Sequence, residues 1–102
     1  MTEVNPGTSL NAATTNGAGA TLALDTVKSI HTIVVSYTGA PTSVLVDLEG
    51  SLDGTVWATL DEFDYASSSA SARTVRASVK NVRANLVSHA GSLAVTAKIA
   101  SV

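Results

Sequence analysis

"SVLVDLEGSLDGTVWATLDEF", Ser43 to Phe63, alternates apolar and polar residues on both sides of one sharp turn. Before the turn, Val44, Val46 and Leu48 share one face, and Leu45, Asp47 and Glu49 share the other. A period of two is the pattern of a β-strand with one face buried. Asp53-Gly54 supplies the turn: Ser51 and Asp53 can hydrogen-bond its backbone, and Gly54 can take the positive φ that closes a short hairpin. Beyond it, Val56, Ala58 and Leu60 alternate with Trp57, Thr59 and Asp61. Trp57 is the only Trp of the chain. It is expected in the core or at a subunit contact, with its N–H meeting one acceptor, and the alternative is a ligand platform.

The same period continues outward. Ala20 to Leu24 forms a short strand candidate. Lys28 to Thr38 sets His31, Ile33, Val35 and Tyr37 against Ile30, Thr32, Val34 and Ser36, and Gly39-Ala40-Pro41 breaks it. On the C-terminal side "DYASSSASA" reads as a loop, and Val75, Ala77 and Val79 then face one way. The phase flips near Asn81, because the next inward set is Val82, Ala84 and Leu86; a bulge or turn is expected there. Leu93, Val95, Ala97 and Ile99 close the chain on one face. No stretch sustains a helical period without also alternating. About seven to eight short strands with turns between them predict an all-β fold, an antiparallel β-sandwich with Greek-key or jelly-roll connections, over residues 21–102. Residues 1–20, rich in Gly, Asn, Thr and Ala, read as an extended N-terminal arm with one short edge strand near Thr8 to Ala13.

Composition narrows the chemistry. The 102 residues hold 45% apolar side chains, supplied by Ala, Val and Leu, with only 4% aromatic and 14% charged. Such a thin core predicts support from oligomerisation or from docking on a larger body. Without cysteine there is neither a disulfide nor a thiolate metal site. "MTEVNPGTSL" lacks the basic and apolar regions of a signal peptide, and no apolar run approaches the ~20 residues of a membrane helix, so a soluble protein made in the cytoplasm is expected. A net charge of −2 opposes general nucleic-acid binding. All eight acids lie between Glu3 and Asp64, and five of the six bases follow Asp64. The split reads either as two solvated faces or as head-to-tail complementarity between identical subunits.

No catalytic set emerges. His31 falls within a strand and His89 beside a turn, and no G-x-S-x-G accompanies the many serines. Asp47, Glu49, Asp61, Glu62 and Asp64 suit carboxylate chemistry or Ca²⁺ by type, but a soluble hairpin face explains them as well, and the D-x-[DN]-x-[DN]-G loop is missing. "NGAGAT" lacks the Lys-Ser/Thr of a phosphate loop. The basic C-terminal segment lacks aromatics for base stacking. No enzyme, cofactor or metal is expected.

The S-x-D-G-x-x-W run from Ser51 to Trp57, the V-R-A-x-L run from Val82 to Leu86 and the final Leu93-Ala94-Val95-Thr96-Ala97 strand resemble the discoidin-like β-sandwiches of tailed-bacteriophage virion proteins. The resemblance covers about Leu22 to Ser101. It implies a virion structural protein on the capsid surface, a head decoration protein that clamps the major capsid protein at subunit junctions and associates with itself, often as a trimer. An N-terminal arm commonly takes part, which nominates Asn5, Pro6 and Leu10 as contacts, with Asp61, Glu62 and Asp64 opposed to Arg73, Arg76 and Arg83. The alternative it implies is a carbohydrate-binding module of a tail or host-attachment structure. The loops where sugar-binding relatives place their ligands offer here only Tyr65 as an aromatic.

Overall fold

The computed structural model of the chain describes residues 6–64 and 70–102. Alternation becomes strand throughout. The elements are β1 (Gly7–Ala13), β2 (Gly17–Ala18), β3 (Leu22–Gly39), β4 (Ser43–Ser51), β5 (Ala58–Asp64), β6 (Ala70–Ala90) and β7 (Leu93–Ser101). All pairings are antiparallel, in the order β1-β7-β3-β6-β4-β5, with β2 on β6.

The sheet, with β1 and β5 at its edges, folds over into a sandwich because its longest strand, β6, serves both layers. Residues 70–79 of β6 pair with β3 alone, Asn81 and Val82 pair with β3 on one side and β4 on the other, and the strand then follows β4 to Ala90. The first layer is therefore β1, β7, β3 and the front of β6, and the second is the rest of β6 with β4, β5 and β2. The inward sets of β3, β4, β6 and β7 are those the alternation predicts; in β5 a register shift opposite Leu48 and Glu49 breaks the alternation, Val56 and Ala58 are exposed, and Phe63 is the buried residue. Ile33, Val35, Val95, Ala97 and Ile99 face Val44, Val46, Leu48, Val82, Ala84 and Leu86 in one buried cluster.

Two local irregularities carry the bend. In β6 the buried residue after Val79 is Val82, which is the expected phase change. The strand nevertheless runs on through it, where a turn was the other possibility. Opposite, β3 bulges between Ala23 and Lys28, so two expected strands are one. Lys28 reaches back 3.2 Å to Asp25 across that bulge.

From Gly7 onward the stretch read as an arm is tied to the sandwich. β1 pairs with β7 on the first layer, and β2 with β6 on the second. Ser9 joins the two: its hydroxyl donates to the Ala20 carbonyl and accepts the Ala84 N–H, both at 2.8 Å. Gly19 lies so close that a Cβ there would collide with the Ser9 carbonyl oxygen. Leu10, nominated as a partner contact, is instead part of the buried cluster, because β1 turns its apolar side chain onto the second layer.

Candidate functional site

The outer face of β4, β5 and the back of β6 gathers most of the polar chemistry of the molecule. Alternation that buries Val44, Val46 and Leu48 sends Leu45, Asp47 and Glu49 to this face. Cross-strand register then sets Asp47 between Glu62 and Asn85, and Glu49 between Thr59 and Arg83. The Arg83 Nε donates to Glu49 Oε1 at 2.6 Å, and Asn85 Nδ2 donates to Glu49 Oε2 at 3.3 Å. The Arg83 guanidinium lies 4.0 Å from the centre of the Trp57 ring. Trp57 thus stands just before β5, half-buried beneath Arg83, outside the core cluster. The core reading of Trp57 fails because the turn ends only at Ala58, leaving the ring on the outer surface.

Asp47 is only 7% exposed although it belongs to the outer face, since both neighbouring strands flank it. Its Oδ1 has no hydrogen-bond partner among the described residues. Burial raises its carboxyl to about 6, helped by a hydrogen bond to Glu62 and by the charges of Glu62 and Glu49; a hydrogen bond from Thr59 opposes the shift. Direct cross-strand opposition of two acids disfavours ionising both.

The turn ahead of Trp57 is held as its sequence suggests. Gly54 has φ 78°. The Ser51 hydroxyl accepts the Gly54 N–H at 2.8 Å and donates to Asp53 Oδ1 at 3.0 Å. Asp53 Oδ1 also accepts the N–H groups of Thr55 and Val56 at 2.8 and 2.9 Å, and these bonds hold its carboxyl below the ordinary range. This network presents Leu52 and Val56 outward, 65% and 74% exposed, beside a hollow of about 320 Å³ that Gly50, Ser51, Asp53 and Ala58 complete.

The nominated charges separate. Asp61 meets Arg73 at 3.6 Å within the same chain, and Arg73 also lies 4.4 Å from the Phe63 ring centre, bridging the layers at the open side of the sandwich. Arg83 is engaged by Glu49. Pro6, Glu62, Asp64 and Arg76 are exposed. Asn5 and Tyr65, with the Ser/Ala loop through Ser69, lie outside the described residues.

Sequence reasoning missed one pair. His31 Nδ1 is 2.7 Å from Ser101 Oγ, and His31 Nε2 is 2.8 Å from the Ala77 carbonyl oxygen. A carbonyl only accepts, so Nε2 donates to it and Nδ1 accepts from the Ser101 hydroxyl. Both side chains are sealed, at 0% and 2% exposure, so this Ser–His contact fastens β7 to β3 and β6 out of reach of any substrate. The signal was present only as equal phase: His31 and Ser101 both continue inward-facing rows. Among the described residues no cluster of His, Asp and Glu is arranged to hold a metal ion.

No family model matches the chain, and no curated protein matches it. Solved structures do. The SPBc2 prophage-derived protein YomS superposes with a TM-score of 0.54 at 15% identity, over 100% of this chain and 99% of its own. The N-terminal cellulose-binding domain of Cellulomonas fimi β-1,4-glucanase C superposes with a TM-score of 0.50 at 10% identity, over 97% of this chain and 80% of its own. At such identities the likeness is one of fold: the chain is an antiparallel β-sandwich.

Proposed function

We propose that this chain is a structural protein of a tailed-phage virion, a head decoration protein on the capsid surface that binds the major capsid protein at subunit junctions. The observation that carries the reading is the hydrogen-bonded turn that holds Leu52 and Val56 out in water. Apolar side chains fixed in exposed positions gain by being covered, and a prearranged turn loses little entropy on docking. The whole-length likeness to a prophage-derived protein and the S-x-D-G-x-x-W and V-R-A-x-L runs support the phage assignment. The mechanism is passive. It needs no cofactor, nucleic acid or membrane, and many weak junction contacts add through avidity. The test is the doubly substituted Leu52→Asp/Val56→Asp protein, checked for unchanged circular dichroism and added to undecorated capsids. Occupancy is expected to fall at least tenfold; undiminished occupancy sinks the reading.

A second reading, a carbohydrate-binding module of a tail or host-attachment structure, is favoured by the row of Trp57, Arg83, Glu49 and Asn85 on an open sheet face. Stacking and planar hydrogen-bonding groups suit a sugar. Glycan-array binding that disappears in Trp57→Ala would establish it, and a blank array would remove it.

A further inference from the structure

The fold sorts the charges of the sequence by layer. From Lys28 of β3 on, the strands of the first layer contain no acid, and Arg76, Lys80 and Lys98 are exposed there. The outer face of the second layer carries Asp47 and Glu49 on β4 and Glu62 and Asp64 on β5, against the single base Arg83; Asp61, level with the inward Leu48, meets Arg73 between the layers instead. The sandwich is therefore positive on one outer face and negative on the other.

The positive face is also built to be covered. Its register rows set Val34 between Ala72 and Lys98, and Thr32 between Thr74 and Ala100. Thr32 and Thr74 share a hydrogen bond of 3.1 Å across this row. Val34 is 44% exposed between Ala72 and Lys98. This face mixes Val, Thr and Ala with two exposed cations set in its rows, Lys98 beside Val34 and Arg76 beside Ile30, and that combination suits an acidic partner surface.

We propose that copies of this chain stack head to tail, the basic face of one seating on the acidic face of β4 and β5 of the next. Opposite patches on different faces of one molecule make a heterologous contact, which propagates into a ring or a filament rather than closing as a two-fold dimer. Charge also bars the like pairings: basic on basic and acidic on acidic both repel. The occupant follows from that complementarity, because each copy supplies what the other lacks. This stacking is a property of the isolated protein and stands apart from the capsid reading.

The experiment is sedimentation velocity on the full chain up to millimolar concentration, at low and high salt. The mean mass is expected to rise with concentration at low salt and to fall back as salt screens the faces. Arg76→Glu/Lys98→Glu reverses the first face and Glu62→Lys/Asp64→Lys the second; all four side chains are exposed, and circular dichroism checks that each variant stays folded. Each variant alone is expected to associate at least tenfold more weakly, and an equimolar mixture of the two to associate again. A wild-type monomer at every concentration overturns the proposal. So does association that neither reversal weakens, or a mixture that stays monomeric; the last two outcomes point to a different surface.

Discussion

Arg83 lies over the Trp57 ring at 4.0 Å while its Nε donates to Glu49 at 2.6 Å. One guanidinium therefore covers an aromatic face and neutralises the acid beside it. Its planar, delocalised charge suits both contacts at once. The two contacts join β4 and the end of the β4–β5 turn to β6, which is remote from both in sequence.

Arg83→Ala removes both contacts and leaves Glu49 with only Asn85. Stability is expected to fall by about 1–3 kcal/mol, as for loss of a charged hydrogen bond and a cation–π contact. The Trp57 emission is expected to shift red as water reaches the ring. Arg83→Lys is expected to restore less than half of the loss, since an ammonium cannot stack and bond in the same plane. Thermal melts and fluorescence spectra check both variants.

Asp47 makes stability depend on pH in a stated direction. Its folded carboxyl lies at about 6 against 3.8 for the free group, so the native state favours the protonated form. The associated stabilisation is fully present below pH 3.8 and is lost as pH rises through about 6. Asp47→Asn keeps the shape without the charge. Relative to the wild type it is expected to gain on the order of 1–3 kcal/mol between pH 4 and pH 7. A difference in melting temperature that stays constant over that range rejects the assignment.

Ser101→Ala strands His31 Nδ1 in the core without a donor. The expected cost is about 1–3 kcal/mol, the penalty of a buried unsatisfied group. Because the contact holds β7, hydrogen exchange is expected to rise first at Ala100 and Ser101, and amide exchange by NMR measures it.

Gly54→Ala tests backbone strain apart from space. The nearest atoms to a new Cβ lie at 3.8 Å, so nothing clashes, and the cost arises from φ 78° alone. About 1 kcal/mol of destabilisation is expected. Gly19→Ala is expected to cost more, because its Cβ meets the Ser9 carbonyl and opens the clamp between the layers. Chemical denaturation of the two variants ranks them.

Leu10→Ala is expected to cost about 2–5 kcal/mol as a core truncation. Deleting the whole N-terminal stretch therefore reports on folding before it reports on docking. Equilibrium unfolding of the point variant distinguishes the two.

The sequence by itself determined the strands and their buried faces. The rows of Ile33 and Val35, of Val44, Val46 and Leu48, and of Val95, Ala97 and Ile99 are legible because a pleated strand can bury only every second side chain. It determined the turn at Asp53-Gly54 and the phase change near Asn81 for the same local reason. Only the tertiary structure decided what depends on register and on the bend of long strands. It placed Leu10 in the core, because β1 pairs with β7, some eighty-five residues on. It set Trp57 under Arg83 and faced Asp47 with Glu62, since cross-strand neighbours are fixed by hydrogen-bond register rather than by sequence distance. It also converted a charge split along the chain into opposite charge on two faces. That outcome needs β6 to cross between layers, so that its front joins the basic strands and its back the acidic ones.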